Sequence, residues 1–167
     1  MTDVVGDRLD TAAGLPIFQE VLQRLTGEHT HEETLGLICR RVSELAGFDF
    51  CGIFLPAAGD HLRLAASHAF PPRYLTRLHD VFLAPLHDLR LAGSPTETAI
   101  HDRRTVVLGD TLTDESFRPW RPLAEEGGYR SLVSAPLLVR GEVLGVLNGY
   151  SERPRERSST NEASWVR

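Results

Sequence analysis

The sequence predicts a single α+β domain in which a mainly antiparallel sheet carries helices on both faces. Three observations lead there. Helical periods come first and strand-like alternation follows in hairpin order, unlike the strict strand–helix alternation of a doubly wound parallel sheet. The most regular stretch, Ser131 to Tyr150, is two strands around a tight Arg140-Gly141 turn. Its second arm, Glu142 to Tyr150, has apolar or glycine residues on both faces, so it needs cover on both. Gly145 and Gly149 within it mark places where a helix, another chain or a ligand comes close to the backbone.

The elements follow in order. Residues 1–14 are polar and are expected to be a flexible terminus. Ile17, Val21, Leu22 and Leu25 have helical spacing, with Pro16 suited to the first turn and Gly27 to the end. Thr30 and Glu33 have capping-box spacing and open a second helix, whose stripe is Leu35, Ile38, Cys39, Val42, Leu45 and Ala46. Gly47 ends it. Phe48 to Leu55 is aromatic and β-branched, Ala57-Ala-Gly-Asp60 is a turn, and Leu62, Leu64, Ala66, His68 and Phe70 alternate with more polar neighbours, which together predict a hairpin. Pro71-Pro72 breaks it, and Arg73 to Asp80 is a short helix, while Val81 to Gly93 has no clean period. Ser94-Pro95-Thr96-Glu97 starts a helix over Thr96 to Arg103, with Ser94 as cap and Glu97 closing the box. Thr105 to Leu108 is a brief strand, Gly109 to Asp114 a polar loop, and Pro119 to Glu126 a further helix before the hairpin. After it, Ser151 to Ser159 reads as a linker, and Thr160-Asn-Glu-Ala begins another helix. No internal repeat is evident.

Composition bounds the function. The chain has 167 residues, 41% hydrophobic and 25% charged, as in a soluble globular domain. A net charge of -5 argues against nucleic-acid contact by this chain, because phosphates need clustered Lys and Arg. Met1 to Asp7 lacks the basic and apolar regions of a signal peptide, and no apolar run reaches membrane-spanning length, so a cytoplasmic location with no membrane contact is expected. Cys39 and Cys51 form neither a CxxC nor a metal-type cluster, and a reducing compartment disfavours a disulfide.

No residue set makes a convincing catalytic centre. His29 and His31 can offer two imidazoles, but a metal needs three or four ligands, and a solvated helix start explains them as well. His68 can face a cavity and ligate haem iron or bond a polar ligand, or be a histidine bonded to backbone. Asp110 and Asp114 can act as paired carboxylates or make Asx-type turns. Ser131 and Ser134 lack a hydrolase elbow, and no phosphate-cradling glycine loop occurs. Arg153, Arg155 and Arg157 alternate with Pro and Glu, as in a solvated linker.

Tyr129-Arg-Ser-Leu-Val-Ser-Ala-Pro-Leu-Leu-Val-Arg-Gly-Glu-Val-Leu-Gly-Val-Leu-Asn148 resembles the signature of GAF domains, in which Gly-x-x-Ser leads into a Pro-Leu strand, a glycine turn and a Gly-Val-Leu strand. Val42 to Leu55 resembles the family's first helix and strand, and Val106 to Asp110 with Asp114 to Phe117 its short strand and aspartate loop. The resemblance runs from about Pro16 to Tyr150. It implies an antiparallel sheet of about six strands, with amino- and carboxy-terminal helices on one face, often dimerising, and short helices and loops enclosing a small-molecule pocket on the other. Most such domains are sensors of a cyclic nucleotide, haem, bilin or small metabolite. The cofactor itself stays unknown. Bilin-binding members use a cysteine just before a histidine, where this chain has Ile100-His101, and the motif of cyclic-nucleotide members is missing. Members that reduce free methionine sulfoxide use cysteines in loops over the pocket, whereas Cys39 is predicted on a helix and Cys51 on a strand.

The resulting expectation is a sensor domain over residues 15–151, followed by 152–167 as linker and the start of a helix toward an effector. It would bind a small molecule, relay the change through terminal helices as a homodimer, and serve a transcription regulator or signalling protein without being an enzyme. The alternatives are a ligand-free dimerisation module and a sulfoxide reductase. Candidate ligand-binding residues are His68, Tyr74, Thr96, Ala99, Trp120, Tyr129, Ser131 and Val133. Strand parity decides between Ser131 with Val133 and Leu132 with Ser134, since a one-residue slip exchanges the faces.

Overall fold

In a computed structural model, residues 31–57, 61–82 and 93–155 are described. The helix expected from Pro16, the Thr30 cap, most of the Ala57–Asp60 turn, residues 83–92 and the helix expected from Thr160 lie outside them. Five strands form one antiparallel sheet: β1 (Phe50–Ala57), β2 (His61–His68), β3 (Val106–Leu108), β4 (Ser131–Val139) and β5 (Glu142–Ser151). Their spatial order is β2-β1-β5-β4-β3, close to the expected count of about six. The β4–β5 turn places Arg140 and Gly141 at φ 52 and 85°, the double left-handed conformation whose twist suits a two-residue hairpin.

Period-2 alternation divides the sheet residues between two cores. On one face, α1 (His31–Ala46) lays Leu35, Ile38, Cys39 and Val42 against Cys51, Ile53 and Leu147. Glu32 and Glu33 in its first turn favour the positive end of the helix dipole, and Gly47 at φ 67° ends it. Phe50, Phe54, Leu132, Val146 and Tyr150 point to the other face. They are covered by α2 (Pro72–Phe82), α3 (Pro95–Asp102), a 3-10 turn (Glu115–Trp120) and α4 (Arg121–Gly127). The helix expected over Pro119 to Glu126 is split in two. Asp114 accepts from the Ser116 N–H and starts the 3-10 turn early, while Pro122, lacking an N–H, suits the first turn of a new helix at Arg121.

The hairpin glycines make room for the protein's own atoms. A Cβ on Gly149 would lie 2.4 Å from the Phe48 ring, and one on Gly145 2.4 Å from the Phe54 carbonyl oxygen. Arg155 completes that corner. Its guanidinium sits 4.4 Å over the Phe48 ring and donates to the Ala46 and Gly47 carbonyls at 3.0 and 2.6 Å, while its backbone N–H donates to Gly109 at 2.8 Å. A cation thus meets the carbonyl end of α1, where the helix dipole is negative.

Candidate ligand site

On the face away from α1, short elements close over the sheet and leave a cavity of ≈ 30 Å³. The first turn of α3 forms one wall because its start is fixed locally. Ser94 Oγ accepts from the Glu97 N–H at 3.1 Å, the Glu97 carboxylate accepts from the Gly93 N–H, and Pro95 takes the first helical position. The carboxylate reaches one residue further back than in the usual capping box. Thr96 is thereby held above the sheet, opposite Asn148 of β5. Phe117 and Trp120 come from the 3-10 turn, Tyr74 and Leu78 from α2, Leu123 from α4, and Tyr129 from the approach to β4.

The floor is aromatic and hydroxyl-rich. Phe50 stacks on Tyr150 at 4.9 Å between ring centroids, and Tyr129 meets Tyr150 at 4.8 Å. The Tyr74 hydroxyl donates to that of Tyr129 at 3.4 Å. Burial pushes the phenols of Tyr74, Tyr129 and Tyr150 well above their ordinary value, so all three are neutral donors and acceptors. Asn148 is 1% exposed; its Nδ2 donates to Thr96 Oγ1 at 2.9 Å and to the Tyr150 hydroxyl at 3.2 Å. Its Oδ1 is buried without a partner among the described residues, as is Oγ of Ser134 directly across the β4–β5 ladder. A buried amide oxygen left unpaired costs about 1–3 kcal/mol, so this acceptor stands open to a donor. None of the described residues lining the cavity is charged.

Four of the eight candidate residues, Tyr74, Thr96, Trp120 and Tyr129, line this cavity. Ala99, on α3 itself, is buried in the same core. The other three fall elsewhere. His68 pairs with Cys51 and so shares the α1 face. Val133 pairs with Gly149, whose missing side chain would point at Phe48, and Ser131 donates to the Arg153 carbonyl at 2.9 Å. The parity question is settled in favour of Leu132 and Ser134, because Leu132 pairs with Tyr150 and Ser134 with Asn148 on the cavity face. Sequence reading missed Asn148; the signal was an amide inside an otherwise apolar strand. Asp110 and Asp114 have structural roles. Asp110 holds Arg130 through two bonds of 2.9 and 2.7 Å and accepts from the Leu112 N–H, and Arg130 keeps its carboxyl below the usual value.

Comparison with known proteins places the fold. A family model for the GAF domain matches residues 30–166. Among solved structures, the GAF domain of an Acinetobacter phosphoenolpyruvate-protein phosphotransferase superposes with a TM-score of 0.60 at 19% identity, over 91% of this chain and 85% of that one. A phycocyanobilin-bound GAF domain from a cyanobacterial phytochrome gives 0.61 at 15%, covering 87% and 84%. Free methionine-R-sulfoxide reductase from Neisseria meningitidis, in complex with its substrate, gives 0.59 at 20%, covering 86% and 76%. At these identities the likeness is one of fold. No curated protein matches by sequence. With a model that spans most of its length, and the two-faced sheet to go with it, the chain belongs to the GAF domain family, a family of signalling and sensor domains.

Proposed function

We propose that this domain is the ligand-sensing, regulatory part of a cytoplasmic signalling protein or transcription regulator, and that it is not an enzyme. Its ligand is a small, uncharged, mostly apolar molecule with one N–H or O–H. The observation that carries this reading is Oδ1 of Asn148, which among the described residues has no partner and is buried at the floor of a cavity lined by aromatic, aliphatic and hydroxyl groups. A carboxylate or phosphate would lose its hydration there without gaining a cation. The cavity of ≈ 30 Å³ is far below the several hundred that enclose a typical ligand, so binding needs the lining helices and aromatic side chains to move. Ligand entry would therefore favour an open state over this closed one, and that differential affinity is the signal. The change would pass through α1 and the segment after β5 in a homodimer.

Against a sulfoxide-reductase reading stands the position of Cys39 and Cys51, which pack under α1 on the far side of the sheet from the cavity. A ligand-free dimerisation module is the second reading, favoured by how completely the tyrosines and Trp120 fill the site.

Thermal-shift and native mass measurements on the full chain separate these readings. The probes are indole, its carboxylate derivative indole-3-acetate, haem and a cyclic nucleotide. Sensing of an uncharged donor predicts that indole raises the melting temperature by several degrees, that the charged probes do not, and that Asn148→Ala loses the shift. A stable dimer that binds none of them supports the ligand-free module.

A further inference from the structure

Cys39 and Cys51 stand twelve positions apart on a helix and a strand, and the fold brings them together. Both are free, fully buried and part of the core between α1 and the sheet. Cys39 packs in that core with Ile53 as well as Cys51, both on β1, so its thiol lies over the strand that carries Cys51. We propose that Cys39 and Cys51 are a redox-responsive pair that closes, with a peroxide as oxidant, to an intramolecular disulfide stapling α1 to β1. The proposal goes beyond ligand sensing and does not depend on it.

Both sulfurs lie in the same small buried cluster, so oxidation of either leaves the other as the neighbouring thiol. Cys39 sits on α1, the element that must lift, and is taken as the thiol that meets the oxidant, reacting as its thiolate. Its thiolate attacks one peroxide oxygen, the O–O bond breaks, and hydroxide leaves as water after taking a proton, giving a sulfenic acid on Cys39. The Cys51 sulfur then attacks the Cys39 sulfur, its proton going to the departing hydroxyl, and a second water leaves as the S–S bond forms. Two thiols are oxidised and one peroxide is reduced to two waters.

Neither sulfur has exposed surface, so the first step needs α1 to lift from the sheet. Redocking delivers Cys51 to the oxidised sulfur and completes the second. The pair records that α1 has moved, and then prevents it from moving again. Exchange with a dithiol reverses the bond.

The test exposes the native full chain to graded hydrogen peroxide, blocks remaining thiols under denaturing conditions, and follows intact mass and peptide maps. The expected result is a monomeric product lighter by two hydrogens, with an α1 peptide joined to a β1 peptide. Amide exchange in α1 should slow by roughly ten-fold or more and recover with dithiothreitol. Cys39→Ala and Cys51→Ala should each abolish the mass loss. If either variant fails to fold, the cross-linked wild-type peptide still decides. Thiols that stay blockable under oxidant sufficient for the unfolded chain, sulfinic acid without a cross-link, or disulfides between chains would each overturn the proposal. A cross-link that leaves α1 exchange unchanged would overturn the staple.

Discussion

The two faces of the sheet are closed by different chemistry. Under α1 the contacts are aliphatic and thiol, with close approaches such as the Phe48 ring against Gly149 leaving no spare room. Under α2 to α4 the contacts are aromatic and hydroxyl, with a cavity and an amide oxygen that none of the described residues satisfies. A face that only has to stay shut can be finished with methyl groups. On the proposed reading, the other face would keep polar atoms whose last partner is supplied by a bound molecule.

The largest effect that should break this contrast is alkaline. Tyr74, Tyr129 and Tyr150 have phenols raised by burial, so the unfolded chain gives up their protons first. Their contribution is fully present below pH 10 and falls above it by about 1.4 kcal/mol per pH unit for each tyrosine. Urea unfolding from pH 9 to 11 should show stability dropping steeply, and Tyr129→Phe should make the slope shallower.

On the α1 face, Gly149→Ala should destabilise by about 2 kcal/mol, since the added methyl overlaps the Phe48 ring that Arg155 covers. Chemical denaturation measures it, and a neutral result would mean that this face has slack. The smallest effect sharpens the comparison most. Asn148→Leu removes the orphan oxygen together with two hydrogen bonds, so stability should change by under about 1 kcal/mol in either direction while indole binding disappears. A loss of several kcal/mol would make Asn148 a structural residue.

Local features were legible in the sequence and relations between strands were not. The Ser94 cap, the Arg140-Gly141 turn and the doubly covered β5 depend on residues within a few positions of one another, and each is present. Which face Ser131 or Leu132 takes depends on pairing with β5, whose partners lie well beyond any local window. The face of His68 depends on pairing in the same way, and the pairing with Cys51 turns it toward α1. The thiol pair was invisible as a spacing because a helix, a turn and a strand intervene.

Arg155 has a mechanical consequence. The chain leaves β5 and within four residues is bonded to the last carbonyls of α1 and to Gly109 after β3. A pull on the chain at residue 155 would therefore be borne first by the end of α1, and a tilt of α1 would pull on residue 155 in return. If the proposed relay runs through α1 and the segment after β5, the two would be coupled at one guanidinium, over a lever arm no longer than a single side chain.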